Sequence, residues 1–416
     1  MLYSQHNVTE EKIMIGRIKE QSGFSMVELI ITMTVFVVAI AAVTSIFVPM
    51  LTQFKQQSKI AESQVERVFG LDILRRDVEQ AGFGLPWVIP SGVNYQEAVV
   101  EPKTPWIDRD YNDGPPTNPT RGDELAGDSN PPGAIRSGND VGLNFSDVLV
   151  VKATNIATND AAFKWTYVTG AVDGGSNVNV WESPPSPIED LNNGDRVIVL
   201  VPMRGTTNQR MLVHNAGVFS VQFDSSSFPS AYAPSTENDI YLIYGVDPDT
   251  DLRMPFNRAD FYVRMPADMP PRCATGTGVL YKGIVNQADG LFNEIRLMEC
   301  VVSMQVIYGW DNDKDGDFEP GVAGSTDGYL NDINDRMSSE VREQLKEVRV
   351  YILAHEGQRV QGYTFSNFTG GCSSCITVGE FGLGRDIDLA TVTPDFLQYR
   401  WKVYTLVVKP ANLVES

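Results

Sequence analysis

The feature that most constrains this chain is an apolar run from Phe24 to Val48 whose only charged residue is Glu28. As an α-helix rising about 1.5 Å per residue, a run of this length crosses a hydrocarbon layer of about 30 Å. An ionised carboxylate inside that layer is costly unless another group pairs with it. We therefore predict a membrane-spanning helix with one charge that needs a partner.

The residues before this run predict a short cytoplasmic leader, since positions 1–23 are polar and carry three acidic and three basic residues. Gly23, Phe24, three further residues and Glu28, followed by an apolar helix, resemble the class III signal of type IV pilins and type II secretion pseudopilins. The resemblance implies that prepilin peptidase cuts between Gly23 and Phe24 and methylates the new terminal amine, which keeps its charge. The Phe24 ammonium would then pair with Glu28 of a neighbouring subunit.

Two other interpretations of the run stay open. Ala39-Ile40-Ala41 offers a cleavage site of an ordinary secretory signal. The run could also be a simple membrane anchor. Neither alternative accounts for the positions of Gly23, Phe24 and Glu28.

The helical pattern continues beyond the apolar run. Apolar residues recur at spacings of three and four, which place them on one helix face: Ala61, Val65, Val68, Leu71, Leu74, Val78 and Ala81. Glycines and a proline at Ala81–Pro86 end the pattern. We predict one helix over residues 24–85, with a transmembrane half at 24–48 and an amphipathic half whose apolar face is covered by a globular domain.

The rest of the chain divides into two stretches. Residues 86–140 are rich in Pro, Gly, Asn and Asp, which predicts a long excursion of loops. Residues 141–416 contain apolar runs bounded by turn residues, which predict a β-rich globular domain. The predicted strands are Ser146–Lys152, Gly194–Leu200, Ile240–Tyr244, Phe261–Met265, Glu294–Trp310, Glu347–Ala354 and Tyr399–Val408. The expected fold class is α+β, with a long N-terminal helix packed on a β-sheet-rich domain.

Several segments, in order, are similar to the PilW family of minor pilins. They are Leu74–Gly82, Ser146–Val151, Gly194–Leu200, Cys300–Asp311, Val341–Leu353 and Tyr399–Val408. The resemblance implies a type IV pilus assembly protein, a minor prepilin that primes assembly together with other minor pilins and the major pilin. Such a protein starts in the inner membrane and ends in a pilus on the cell surface.

Two alternative functions remain beside the PilW type. One is a pseudopilin of a type II secretion system, which shares every N-terminal feature. The other is an adhesive module carried on the pilus, for which the Pro-rich segment is the only indication.

Composition and motifs argue against two other classes of function. The formal net charge is −20, whereas a nucleic-acid partner needs clustered Lys and Arg. His6, His214 and His355 are far apart in sequence, and the chain has no nucleophile elbow, phosphate loop or paired histidine ligands. We expect neither enzymatic activity nor nucleic acid as a main partner.

The chain has four cysteines, Cys273, Cys300, Cys372 and Cys375. In an exported domain an even number favours disulfides, and four cysteines allow three pairings. Zinc bound by the four thiolates is an alternative, although Cys372 and Cys375 form just one of the two close pairs that such a site has. We predict the bridges Cys273–Cys300 and Cys372–Cys375, the second of which closes a tight ring and is the more reducible.

Five acidic residues alternate along one loop: Asp311, Asp313, Asp315, Asp317 and Glu319. With Gly316 at the sixth position, this spacing copies the first half of an EF-hand calcium loop. Val322 stands at the twelfth position, where an EF-hand has a bidentate Glu. We expect a weak calcium site completed from elsewhere, with Asp327, Asp332 and Asp335 as candidates. The alternative is a solvated acidic loop.

Overall fold

The structure is a computed structural model that describes residues 23–99, 111–113, 131–171, 175–181, 188–202 and 210–413. The predicted leader, apart from Gly23, and most of the Pro-rich stretch between 100 and 130 lie outside the described residues. The chain forms two compact units, Met1–Gln57 and Ser58–Ser416.

A 54-residue helix, α1, spans Met26–Glu79. The predicted long helix is confirmed, although it ends earlier than residue 85. The chain leaves the helix through two glycines with left-handed backbones, Gly82 at φ +84° and Gly84 at φ +64°. The Gly82 amide donates to the Lys152 carbonyl at 3.0 Å, so the main chain passes directly onto the sheet.

The larger sheet is antiparallel. Its strands are β1 (Ile135–Gly138), β2 (Val148–Ala153), β9 (Asn257–Arg264), β10 (Gly278–Val285), β11 (Phe292–Trp310), β12 (Gly328–Leu330), β13 (Leu345–Glu356) and β16 (Arg400–Val408). Their order in the sheet is β1-β2-β9-β10-β11-β13-β16, with β12 added beside β11. We call this the main sheet.

A second sheet, in the order β4-β3-β8-β5-β6 with β7 beside β5, is built from the chain between β2 and β9. Its strands are β3 (Trp165–Gly170), β4 (Ser176–Val178), β5 (Arg196–Pro202), β6 (Arg210–Leu212), β7 (Ser220–Gln222) and β8 (Ile240–Asp247). The remaining elements are α2 (Ser338–Gln344), the hairpin β14 (Cys375–Val378) with β15 (Arg385–Asp388), and α3 (Leu389–Val392).

The main sheet is covered on both faces. The larger core joins main-sheet residues to Leu74 and Val78 of α1 and to Ile198 and Leu200 of the second sheet. A smaller core on other residues of β11 and β13 contains Ile376 and other residues of the β14–β15 hairpin. The expected α+β class, with the C-terminal part of the long helix packed on sheet, is what the structure shows.

All seven predicted strands are present, as β2, β5, β8, β9, β11, β13 and β16. The prediction that 86–140 forms only loops is wrong at its end, where β1 pairs with β2. The described parts of this stretch are fixed by buried charges. Lys152 lies 2.5 Å from Asp113 and 2.8 Å from Glu97, Arg136 lies 2.7 Å from Asp113, and Arg258 lies 3.1 Å from Glu97.

These ion pairs explain how a polar stretch can be buried. Burial alone would raise the pKa of Asp113, but Arg136 and Lys152 lower it to about 2. The carboxylate is therefore ionised and bound to two cations on neighbouring strands. Breaking a buried pair by removing one partner costs about 3–5 kcal/mol, so the network holds this stretch firmly on the sheet.

Candidate functional site

The Gly23–Phe24 peptide bond lies just before α1 and is open to other molecules. Phe24 is 77% exposed. A Cβ added at Gly23 would meet nothing within 4 Å. Nothing in the described structure therefore requires glycine at this position. A requirement for Gly23 would then come from a protein that recognises this peptide.

Glu28 lies in the first turn of α1 and is exposed. A carboxylate at a helix N-terminus is favoured by the unpaired amides there, although this effect is small beside the cost of placing the charge in lipid. Among the residues that the structure describes, Glu28 has no cationic partner. A partner for this charge therefore has to come from outside the described residues.

Four other polar side chains of the apolar run have hydrogen-bond partners within the helix. Four hydroxyls donate to carbonyls one turn earlier, at 2.8–2.9 Å, in the pairs Thr32–Leu29, Thr34–Ile30, Thr44–Ile40 and Ser45–Ala42. Such bonds remove the cost of hydroxyl groups in hydrocarbon. By length and composition, Met26–Lys55 can cross a membrane. Glu28 is the charged residue of the apolar run from Phe24 to Val48, and the structure shows no cation beside it among the described residues.

The amphipathic part of α1 has two different apolar surfaces. Leu74 and Val78 are buried in the larger core, as predicted. Val65, Val68 and Phe69, however, are exposed by 57%, 67% and 67%. The expectation that the globular domain covers the whole face is therefore wrong for its N-terminal half. We call the exposed residues Ala61, Val65, Val68 and Phe69 the helix stripe.

Two buried charged residues, Arg67 and Asp77, hold this part of α1 on the sheet. Arg67 donates to the His355 carbonyl at 2.5 Å and to the Tyr404 hydroxyl at 2.9 Å. Asp77 lies 2.5 Å from the Lys282 ammonium. Burial raises the pKa of Asp77 and lowers the pKa of Lys282, and their mutual attraction opposes both shifts. The helix stripe is therefore presented by a firmly docked helix.

The acidic loop brings three of its five predicted ligands together. One carboxylate oxygen each of Asp311, Asp313 and Asp315 lies within 4.8 Å of the others, while Asp317 and Glu319 lie outside this group. Gly316 has φ +97°, which provides the sharp turn that the spacing predicts. The three carboxylates offer the oxygen ligands that calcium prefers.

Asp327 is the candidate that the fold brings to the loop from elsewhere. Its carboxylate accepts hydrogen bonds from the Asn312 amide at 3.0 Å and the Glu319 amide at 2.8 Å. Asp332 instead accepts from Ser137 at 2.7 Å, away from the loop. The ammonium of Lys346 lies 3.4 Å from Asp311 and opposes a cation there.

The cysteines form two bridges in the predicted pairing. Cys273 joins Cys300 and Cys372 joins Cys375, with S–S distances of 2.00 and 2.01 Å. No thiolate is left for zinc, since all four cysteines are paired. The first bridge ties the segment before β10 to β11, and the second closes the loop before β14.

Comparison with known proteins supports the prediction of a prepilin-type signal at the N-terminus. A family model described as the prokaryotic N-terminal methylation motif matches residues 18–44. The chain carries a prepilin-type signal. The motif implies processing by prepilin peptidase and association with other pilins, as in a type IV pilin-like protein or a pseudopilin. No curated protein and no solved structure matches the chain.

Sequence reasoning missed the helix stripe as a surface. Phe69 falls outside the predicted apolar face, yet it is among the most exposed apolar residues of the docked helix. The sequence does contain one indication of this surface. With Val65, Val68 and Phe69 close together, the apolar face of the helix is wider than one domain needs to cover.

Proposed function

We propose that this chain is a minor prepilin of the PilW type, which is processed in the inner membrane and primes assembly of a type IV pilus on the cell surface. The prepilin-type signal at residues 18–44 carries this proposal. Other minor pilins, the major pilin and prepilin peptidase are the partners that it requires.

The first step of the proposed function is cleavage. The exposed bond after Gly23 is accessible, and the new amino terminus at Phe24 places a cation four residues from Glu28. In a filament this ammonium neutralises Glu28 of a neighbour, which removes the cost of that carboxylate in an apolar environment. Assembly, rather than folding of the subunit, therefore depends on Glu28.

The helix stripe supports the same proposal. Exposed apolar side chains in a row mark a protein contact site, and the compact unit leaves Val65, Val68 and Phe69 uncovered. Helices of neighbouring filament subunits would cover them. A stripe that serves assembly needs no burial within the subunit, which explains why the fold leaves it open.

The test combines mass spectrometry with assembly. We expect the mature protein to begin at N-methylated Phe24. Glu28→Ala should still be cleaved but should fail to enter filaments. Thr32→Ala is the control and should enter normally, because the Thr32 hydroxyl bonds only within its own helix. A protein that starts at Ala42 or keeps its first 23 residues in cells with active prepilin peptidase would overturn the proposal.

A second pair of variants tests the helix stripe. Phe69→Asp should leave the fold intact and abolish incorporation, because it places a charge in the proposed helix contact. Arg75→Asp adds the same side chain at an exposed position outside the stripe and should be incorporated. If Phe69→Asp assembles as well as Arg75→Asp, the stripe is not an assembly contact.

Deletion of the gene distinguishes the three functions that share this signal. Loss of surface pili with normal secretion supports the PilW type. Loss of protein secretion with intact pili identifies a secretion pseudopilin. Normal pili that no longer attach to a surface identify an adhesive module.

We also propose that the acidic loop binds calcium through Asp311, Asp313 and Asp315, with Asp327 fixing the loop. We expect a dissociation constant of about 10⁻⁴ to 10⁻³ M, because the strong twelfth ligand is missing. At a hundredfold excess over the dissociation constant, binding to the folded state adds about 2.7 kcal/mol of stability.

The calcium proposal is tested by thermal unfolding. Calcium at 10 mM should raise the melting temperature, and Asp313→Ala with Asp315→Ala should abolish the rise. Asp317→Ala with Glu319→Ala is the matched control and should keep it, since these side chains lie outside the group. Identical melting curves with calcium and with a chelator would show that the loop is a solvated acidic surface.

A further inference from the structure

The main sheet ends at β16, a strand of nine residues that pairs with β13 on one side. The register between these two strands runs without a shift from Arg400 to Val408, and β16 contains no proline. A long regular strand at the edge of a sheet presents a row of backbone N–H and C=O groups that can pair with a further strand. The residues that form this row are those whose backbone groups point away from β13.

Hydrogen bonds on β11, which lies on the other side of β13, show which residues these are. The Asp147 amide donates to the Met304 carbonyl at 2.7 Å, and the Val306 amide donates to the Asp147 carboxylate at 2.7 Å. The Asp311 amide, in contrast, donates to the carbonyl of Gln344 at the start of β13, at 2.8 Å. Because successive residues of a strand point their backbone groups to opposite edges, Met304 and Val306 face away from β13.

The same alternation continues across β13 to the edge strand. Val306 lies opposite Val350 and does not bond to it, so the backbone groups of Val350 point to β16, where this residue pairs with Leu406. Leu406 therefore bonds to β13, and alternate residues of β16 point outward. Three of these outward residues are Val403, Thr405 and Val407.

The backbone N–H and C=O groups of these three residues form what we call the open edge. Across the described ranges, no backbone or side-chain group forms a hydrogen bond with them on the outer side. Thr405 is exposed, Val407 is 40% exposed and Val403 is partly buried. Each residue offers one donor and one acceptor, and an extended peptide carries the same groups at the same spacing. An added strand is therefore the partner whose chemistry fits the open edge.

The charge around the open edge indicates what kind of strand fits. The strand and the residue after it carry three exposed bases and no acidic residue, and the bases are Arg400, Lys402 and Lys409. Lys402 lies 3.6 Å from Glu356, which also lies 3.7 Å from Arg67. In the part of the chain that the structure describes, Arg400 and Lys409 have no carboxylate partner. The edge is thus locally basic on a chain whose formal net charge is −20.

The positions of the bases leave the open edge free. They lie at the two ends of β16, and the residues from Val403 to Val408 carry no charge. Acidic side chains of an added strand would be attracted to both ends. A second copy of β16 would instead place the same bases opposite one another, which is unfavourable.

We propose that the open edge binds an extended acidic segment of another protein, which joins the main sheet as a further strand beside β16. Main-chain hydrogen bonds to Val403, Thr405 and Val407 hold the segment, and Arg400 and Lys409 select its charge. This proposal does not depend on the filament function.

Amide hydrogen exchange of the full chain in detergent micelles tests the open edge. The probe is a synthetic peptide that alternates valine and glutamate and is as long as β16. At saturation it should slow exchange of the Val403, Thr405 and Val407 amides by about tenfold or more. The amides of Tyr404 and Leu406 are the internal control, since they already bond to β13 and should not change.

A matched pair of variants tests whether the backbone makes the contact. Thr405→Pro removes one outward N–H without removing a bond to β13, and an edge strand accepts proline at such a position. It should weaken peptide binding by about tenfold or more, because a proline cannot donate to the added strand. Thr405→Val keeps the N–H and should bind the peptide like the unmodified protein. A probe that is N-methylated at alternate amides provides a second measurement on the unmodified protein and should not bind.

The charge of the partner is tested separately. A peptide that alternates valine and lysine should give no protection. Arg400→Ser combined with Lys409→Ser should weaken binding of the glutamate peptide several-fold.

Four results would overturn the proposal. One is that the glutamate peptide gives no protection, which would mean that the bases keep the edge free of other strands. Another is that the N-methylated probe binds as well as the unmodified peptide. Equal protection by the lysine peptide would show that the edge does not select an acidic segment. Protection of the open edge by self-association of the chain would identify a second copy as the partner instead.

Discussion

The two disulfides of this domain form an internal comparison of loop length. Cys273 and Cys300 are 27 positions apart, and Cys372 and Cys375 are 3 positions apart. In the chain-entropy account, a bridge stabilises a protein by restricting its unfolded state, by about 3.6 kcal/mol for the longer loop and about 1.6 kcal/mol for the shorter. Replacing Cys273 and Cys300 by alanine should therefore cost about 2 kcal/mol more than replacing Cys372 and Cys375.

Thermal unfolding of the compact unit Ser58–Ser416 measures this difference. A unit of roughly 360 residues has an unfolding entropy of about 0.75 kcal/mol per degree, so the predicted losses correspond to about 5 °C and about 2 °C. Denaturant unfolding should give the same order. Equal losses for the two double variants, or a larger loss for Cys372 and Cys375, would show that loop length does not decide the stabilisation.

Three further outcomes follow from other parts of the structure. Burial and the nearby Arg67 cation lower the pKa of His355 to about 3, below the value of about 6.5 in an unfolded chain, so the unfolded state takes up the proton first. Stability should fall as pH falls from about 6.5 to 3, and acid unfolding curves of His355→Gln should show less of this fall. Lys282→Met should cost about 3–5 kcal/mol in urea unfolding, because it removes the buried cation 2.5 Å from Asp77 and leaves only the exposed Arg76 guanidinium, 4.0 Å away, near that carboxylate; adding Asp77→Leu should recover most of the loss. Gly23→Ala should leave the melting temperature unchanged yet block N-terminal cleavage in mass spectrometry, and normal cleavage would show that the peptidase does not need glycine.

The N-terminal half of the candidate site could be predicted from sequence because its chemistry is local. Gly23, Phe24 and Glu28 lie within six consecutive positions, and the apolar run that follows them has a length fixed by the bilayer. The acidic loop was visible for the same reason, since its ligands alternate along one segment. The sequence could not show which of these carboxylates form the candidate site. The fold decides which of them converge and adds Asp327 from later in the chain.

The sequence by itself determined the helix, its signal and seven of the strands, because the spacing of apolar residues along each segment is visible locally. Only the tertiary structure decided where polar residues would be buried. Strand β10 was missed because it carries Lys282, whose buried charge is balanced by Asp77 on a distant helix and which also donates to the Ile156 carbonyl. Likewise β1 is held in the sheet by Arg136 and its ion pairs. Such pairs join residues that are far apart in sequence, so they cannot be predicted from a local sequence pattern.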